Sequence, residues 1–276
     1  MMAAATTRQG ATPVASEPVT GTTASGIYYE LHGRGEPLFL GFPVMASHAE
    51  VFGSAAAAVR AGFLDALADR YRVLLADYPS IGRSAAFVPE AMTIDRVCAD
   101  MLSLADAAGF DRFAWWGATF GAVIGLQLAA RSSRLNALVC AGWPPLGAPY
   151  ADMLRGSRAN LANPPEHARV ILRSPSQYSQ WVAFYESMSD VSEAETLARI
   201  RCPRLVVYGE NAVSSVADLP LPFADIIRAR RAELEAQGWQ VTEIPDADGS
   251  VVLDPKTLAP IARAWLDKNL NRGSAR

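Results

Sequence analysis

Short apolar runs alternate with amphipathic stretches along most of this 276-residue chain. Five runs in the first half have the length and composition of strands: 27–33, 37–43, 71–79, 112–118 and 135–143. Most of the segments between them carry apolar residues at helical spacing. Nearly continuous apolar strands joined by helices are typical of a parallel sheet that is covered on both faces. The pattern therefore predicts an α/β fold with a mostly parallel central sheet flanked by helices.

The alternation stops after Trp143 and resumes at residue 201. Residues 144–200 contain only helix-like pieces, separated by Pro, Asn and Ser. The chain then gives a strand, a long helix over 222–238, another strand and a final helix. We interpret 144–200 as a helical cap over the carboxyl edge of the sheet, where ligands bind in open α/β folds. The predicted core is 27–143 and 201–272.

Composition excludes several classes of function. Lys and Arg number 25 against 28 Asp and Glu, and no basic run supplies the face that a nucleic acid would need. Three cysteines and three histidines form no cluster, so neither a metal site nor a cofactor is expected. The first 26 residues are rich in Ala, Thr, Ser, Gly and Pro and are interpreted as a flexible tail without a secretory signal.

The longest apolar stretch, 113–130, is interrupted by three glycines. A buried strand, a tight turn and a buried helix explain it better than a membrane span. We therefore expect no membrane association and a cytoplasmic location.

Residues 115–121, Trp-Trp-Gly-Ala-Thr-Phe-Gly, join that strand to that helix. They resemble the G-x-S-x-G nucleophile elbow of the α/β-hydrolase family, with Thr119 in place of the serine. Residues 38–43 resemble the family's oxyanion loop, with Leu40 replacing its histidine. Residues 74–84 resemble the D-x-x-G-x-G-x-S loop, with Ser80 at its first glycine, and residues 200–211 resemble the strand that delivers the acid. The resemblance implies an α/β-hydrolase fold with a cap.

The chemistry of the chain departs from that family. The position of the acid reads Ala212, and the position of the histidine reads Gly249. No histidine follows His167, so the base after the last strand is absent in any register. The family's oxyanion hole uses backbone N–H groups, which here would belong to Phe42 and Phe120 and do not depend on side-chain identity.

A few polar side chains remain as candidates for proton transfer. His48 lies in the loop after the oxyanion strand, and Glu210 and Asp248 end strands at the carboxyl edge. Each could face the pocket, the two carboxylates with a raised pKa, or each could have a structural role, His48 at the surface or a helix start and the two carboxylates as turn caps. Together with Thr119 they are the catalytic candidates. The candidate pocket residues are Leu40, Trp143, Tyr150, Trp181, Tyr185 and Ser250.

These observations leave three hypotheses. The first is an enzyme that binds a hydrophobic carbonyl-bearing metabolite, as in secondary metabolism, and promotes cyclisation, isomerisation or elimination by orientation. The second is a binding protein or pseudoenzyme without catalysis. The third is a weak esterase or lactonase that uses Thr119 with His48. A small molecule is the expected partner in each case, and a homodimer is left open.

Overall fold

The computed structural model describes residues 17–270, and residues 1–16 and 271–276 lie outside the described part of the chain. In the described residues, eight strands form one sheet and two form a separate hairpin. The strands are β1 (Val19–Thr22), β2 (Tyr28–His32), β3 (Glu36–Gly41), β4 (Tyr71–Ala76), β5 (Phe113–Ala118), β6 (Leu135–Ala141), β7 (Arg204–Gly209), β8 (Ser214–Val216), β9 (Leu219–Leu221) and β10 (Trp239–Ile244).

The main sheet has the order β1-β2-β4-β3-β5-β6-β7-β10. The pairs β1/β2 and β2/β4 are antiparallel, and every other neighbouring pair is parallel. The predicted mostly parallel sheet is therefore confirmed. The carboxyl ends of β3, β5, β6, β7 and β10 meet at one edge, which brings together the loops that follow them.

Helices cover both faces of the sheet and its carboxyl edge. They are α1 (His48–Phe52), α2 (Ala57–Leu67), α3 (Ile94–Ala107), α4 (Phe120–Arg131), α5 (Tyr150–Ala162), α6 (Glu166–Ile171), α7 (Ser179–Ser187), α8 (Glu193–Arg199), α9 (Phe223–Ala229), α10 (Arg231–Ala236) and α11 (Pro255–Leu270). Helices α5 to α8 occupy the predicted cap segment. Thr93 caps the amino terminus of α3, where its hydroxyl accepts from the Arg96 amide at 3.3 Å.

Two apolar clusters lie on opposite faces of the sheet. Successive strand residues point to opposite faces, so Trp115 joins one cluster and Trp116 joins the other. The Trp115 cluster contains α3, α4 and the inner side of the cap. The Trp116 cluster contains α2 and α11. The cap therefore shares its core with the face of the sheet that carries α4.

Three parts of the chain differ from the sequence prediction. The predicted tail extends to Gly26, but residues 19–22 form the edge strand β1, whose Val19 pairs with Leu31. The predicted helix over 222–238 is two helices, α9 and α10, because Arg230 leaves helical geometry at φ −102° and ψ 3°. The β8–β9 hairpin was not predicted.

The stretch 113–130 forms β5 and α4. Across residues 17–270, none of the helices combines the length and the apolar character needed to cross a membrane.

Candidate functional site

The turn between β5 and α4 holds its central residue in strained backbone. Thr119 has φ 48° and ψ −111°, a region that β-branched residues rarely adopt. Its amide donates to the Ala141 carbonyl at 2.9 Å, which ties the turn to β6. Phe120 is the first residue of α4, so its N–H has no acceptor within its own helix. The turn thus presents one side chain and a helix amino terminus at the carboxyl edge.

Close backbone contacts make the glycines of this turn necessary. A Cβ atom built on Gly121 would lie 1.5 Å from the Gly41 carbonyl oxygen. A Cβ atom built on Gly117 would lie 2.2 Å from the Gly121 carbonyl oxygen. The Trp115 indole nitrogen donates to that same Gly121 oxygen at 3.0 Å. The end of β3 therefore packs directly against the start of α4, which places Phe42 beside the turn.

The loop after β4 is held by a buried carboxylate. Asp77 accepts hydrogen bonds from the backbone amides of Ser47 at 2.9 Å and Arg83 at 3.0 Å, and from the Ser47 hydroxyl. Burial raises the pKa of Asp77, although these hydrogen bonds act in the opposite direction. Ser80, at the position of a family glycine, adopts φ 64°. Asp77 therefore has a structural role, because it ties the loop after β4 to Ser47 and Arg83.

A cavity of about 720 Å³ lies between the turn and the cap, and we call it the cap cavity. This volume falls in the range of small-molecule sites. Thr119 and Phe120 lie at its base on the sheet. Its predicted aromatic residues Trp143, Trp181 and Tyr185 line it. Phe184 lies deeper and packs on Phe120 with 4.6 Å between ring centroids, which fixes the cap to α4.

Several polar residues that line the cap cavity were missed by sequence reasoning. They come from α5, from the residue that follows it and from the β8–β9 hairpin: Ser157, Asn160, Asn163, Ser214, Ser215 and Asp218. Asn160 donates to the Tyr178 hydroxyl at 3.2 Å. The spacing of Ser157 and Asn160 on one helix face is the signal that could have identified them. Asp218 had no such signal, since its hairpin was not predicted.

The carboxylates proposed from sequence have structural partners instead. Glu210 accepts from the Asp246 amide at 2.9 Å. Asp248 accepts from the amide of Ser250 at 2.8 Å and from its hydroxyl at 2.6 Å. These hydrogen bonds from Ser250 lower the pKa of Asp248, which fits the turn-cap alternative and not the pocket carboxylate. The three candidates Glu210, Asp248 and Ser250 do not line the cap cavity. They form the turns after β7 and β10.

Three further candidate side chains, those of Leu40, Tyr150 and His48, lie away from the cap cavity. Leu40 and the Phe42 side chain are buried on the opposite face of the sheet, in the cluster of Trp116. Successive side chains of a strand point to opposite faces of the sheet, so Leu40 points away from the face to which Phe39 belongs. The tilted ring of Tyr150 packs against Trp143 with 5.7 Å between ring centroids, and Tyr150 lines a second cavity of about 670 Å³.

His48 is buried at the start of α1, where its Nδ1 lies 3.0 Å from the Val44 carbonyl oxygen. Burial lowers its pKa, and it is not among the residues that line the cap cavity. The other histidine that precedes the cap, His32, lies with its Nε2 2.8 Å from a carboxylate oxygen of Glu30 on β2.

The two positions that depart from the expected chemistry lie at the carboxyl edge. Ala212 is buried just after β7, and its amide donates to the Gly209 carbonyl at 3.0 Å. Gly249 begins a short 3₁₀ turn after β10. Val252 of that turn and the Thr119 methyl both approach Gly142, where a built Cβ atom would lie 2.5 Å and 3.9 Å from them. The loop after β10 therefore offers apolar atoms on this side of Thr119.

Comparison with protein families and curated proteins gives a consistent result. The model of the alpha/beta hydrolase family matches residues 31–261. A protein of Caulobacter vibrioides named "Putative carbamate hydrolase RutD" is 30% identical over 270 residues, 89% of this chain and 97% of the relative. A protein of the same name from Stutzerimonas stutzeri is 35% identical over 114 residues. That match spans only 41% of each of the two chains.

Solved structures share the fold at low sequence identity. A thermophilic esterase from Thermogutta terrifontis has a TM-score of 0.65 and 18% identity, covering 92% of this chain and 99% of its own. A carboxylesterase structure from Nitrososphaera gargenis has a TM-score of 0.64 and 16% identity, covering 92% and 100%.

Proposed function

Because the chain belongs to the α/β hydrolase family, we propose that it holds a small, largely apolar carbonyl compound in the cap cavity and turns it over without an acyl-enzyme intermediate. One observation carries this proposal. The cap cavity opens onto a strained turn that has the geometry of a nucleophile elbow, yet the residue at its centre is Thr119 and no histidine follows residue 167.

Acyl transfer needs an activated nucleophile. A hydroxyl close to its ordinary pKa attacks poorly unless a base removes its proton, and triad members act as a unit. Gly249 has no side chain to serve as that base, and Ala212 has no carboxylate to orient one. The Thr119 methyl adds bulk at the point of attack. These features favour a role for Thr119 as a hydrogen-bonding wall residue.

Binding of a carbonyl oxygen requires only backbone donors. The N–H of Phe120 at the start of α4, supported by the amino end of the helix, can stabilise a developing negative charge. Trp143, Trp181 and Tyr185 supply apolar walls that exclude water from such a ligand. Orientation in this site can lower a barrier by several kcal/mol without covalent catalysis.

A carbamate fits both the site and the name of the RutD relatives. In a carbamic acid, R–NH–COOH, the C–N bond breaks, its electron pair stays on nitrogen, and the carboxyl proton moves to that nitrogen to give R–NH₂ and CO₂. This elimination needs charge stabilisation and a proton path, but no nucleophile. Asp218 supplies the one carboxylate among the described residues that line the cap cavity. Its oxygens can accept a hydrogen bond from the N–H of such a substrate.

Stopped-flow measurement of CO₂ release from small amine carbamates tests the proposal. We expect the wild-type chain to exceed the uncatalysed rate, and Thr119→Ala to keep kcat within about threefold because only one neutral hydrogen bond is lost. Thr20→Ala on the exposed strand β1 is the matched control. Loss of all catalysis in Thr119→Ala would show that the hydroxyl is the nucleophile. Ligand-induced stabilisation without turnover of any carbonyl compound would indicate the binding protein instead.

A further inference from the structure

Another concave site, distinct from both cavities described above, lies at the amino edge of the sheet, opposite the cap cavity. It has a volume of about 590 Å³ and is formed by residues that precede β5, β6 and β7 and that end α4 and α8. Among the residues that the structure describes, no carboxylate lines it and five arginines do: Arg112, Arg131, Arg134, Arg199 and Arg201. We call it the arginine pocket. In a chain with a net charge of −3, this is a concentrated positive region.

Ordinary structural roles account for three of these arginines. Arg131 ends α4 and lies 3.3 Å from Asp95, and Arg199 ends α8 and lies 3.5 Å from Glu195. Cations at a helix carboxyl terminus are stabilised by the helix dipole. Arg134 pairs with Asp106 at 2.7 Å and also donates to backbone carbonyls. These contacts would hold the three side chains in the absence of any ligand.

No such contact explains the other two. Within residues 17–270, Arg112 and Arg201 make neither an ion pair nor a hydrogen bond. Arg204 is nearby, and burial together with the charge of Arg201 lowers its pKa. Like charges placed this close repel one another. Arg112 and Arg201 are both exposed, so the chain presents two guanidinium groups without a protein partner to this concave space.

We propose that the arginine pocket binds a compact anion that carries more than one negative charge, such as a phosphate ester or an oligophosphate. Guanidinium groups present planar pairs of N–H donors that match phosphate oxygens, and such hydrogen bonds are about twice as strong as neutral ones. A bound anion would also relieve the repulsion between Arg201 and Arg204.

The surroundings favour a compact anion over a nucleic acid. The carboxylates of Asp95, Asp106 and Glu195 flank the arginine pocket, where they pair with its outer arginines. An extended polyanion would meet these negative charges as it left the pocket. A small anion can bind between Arg112 and Arg201, which pair with none of these carboxylates.

This site is separate from the proposed catalytic site. Strand β5 begins beside the arginine pocket and ends at Thr119, and six strand residues span about 20 Å. Anion binding at the arginine pocket can therefore be tested independently of the carbonyl chemistry in the cap cavity.

Isothermal titration with pyrophosphate at constant ionic strength tests the inference. We expect saturable binding to the wild-type chain with a Kd below about 1 mM. The double variant Arg112→Gln/Arg201→Gln should bind at least tenfold more weakly. The matched control is Arg155→Gln/Arg230→Gln, which removes two exposed arginines with ordinary carboxylate partners and should stay within about twofold of wild type. Arg201→Lys should lie between, because it keeps the charge and loses the paired donors.

Thermal unfolding without any anion separates a ligand site from a structural role. Without a bound anion, Arg112 and Arg201 have no carboxylate partner to lose. The thermal midpoint of Arg112→Gln/Arg201→Gln should therefore equal or exceed that of wild type. A lower midpoint would show that the two arginines stabilise the fold, which contradicts the inference. Equal pyrophosphate affinity in the double variant, absence of saturable binding to wild type, or tighter binding of a ten-nucleotide single-stranded RNA through the same two arginines would also overturn it.

Discussion

The turn at Thr119 and the loop after β10 lie at the same edge of the sheet, but they tolerate change very differently. At the turn, backbone atoms of β3 and α4 pack so closely that a Cβ atom on Gly121 would overlap the Gly41 oxygen. In the loop, a Cβ atom built on Gly249 would meet only the Val213 oxygen, at 3.4 Å. The turn is thus constrained by the fold itself. The loop holds its shape through local turns, so its chemistry can be lost without loss of structure.

The largest expected effect is on the stability of the turn. Gly121→Ala should lower the free energy of unfolding by about 3 kcal/mol, because β3 or α4 must move to admit the methyl group. Gly249→Ala should change it by less than about 1 kcal/mol. Urea unfolding of the two variants measures the difference. Equal effects would show that the two segments are constrained alike.

A second prediction concerns restoration of hydrolysis. If the loop kept its shape, the triple variant Thr119→Ser/Ala212→Asp/Gly249→His should hydrolyse p-nitrophenyl acetate about 100-fold faster than wild type, since a positioned base contributes at least that factor. Each single change should have little effect, because triad members act as a unit. The control triple variant carries Thr119→Ala with the same two other changes. No gain in a folded triple variant would mean that the loop has lost its geometry as well as its side chains.

Glu210 provides a smaller test of the loop. Glu210→Ala removes the acceptor of the Asp246 amide and should cost about 1 kcal/mol of stability, whereas Glu210→Gln keeps an acceptor oxygen and should cost less than about 0.5 kcal/mol. Neither should alter kcat/KM toward the substrate. A folded Glu210→Gln variant with strongly reduced kcat/KM would place this carboxylate in the chemistry.

The smallest expected effect is the pH dependence that Asp248 contributes. Hydrogen bonds from Ser250 lower its pKa in the folded chain, so its stabilising contribution is present above the pKa of the unfolded chain. That contribution is lost as pH falls through the folded pKa. The Asp248→Asn variant should therefore have a lower thermal midpoint than wild type near neutral pH, and the two midpoints should converge in acid. A difference that grows in acid would contradict this sign.

Periodicity predicted the sheet, the helical cap and the final helix, because burial imposes period 2 or 3.6 on the sequence. It did not predict β1, whose Val-Thr-Gly-Thr residues are largely exposed and are held by pairing with β2. It also missed the β8–β9 hairpin, which has three-residue strands and turns through Ala217 and Asp218 at positive φ without a glycine.

The candidate site was only partly predictable for a related reason. Thr119, Trp143 and Tyr185 follow from motif and helix position, and they line the cap cavity. Leu40 was misplaced because the motif gives the register but not the face of the sheet. Asp218 depends on a hairpin that no periodic pattern marks. Turn caps such as Asp248 resemble pocket carboxylates in sequence, and only their hydrogen bonds distinguish them.

Intact-protein mass spectrometry after treatment with a fluorophosphonate measures most directly whether the chain carries an activated nucleophile at Thr119. We expect no increase in mass for the wild-type chain and one adduct for the folded variant Thr119→Ser/Ala212→Asp/Gly249→His. A stoichiometric adduct on the wild-type chain that disappears in Thr119→Ala would contradict it.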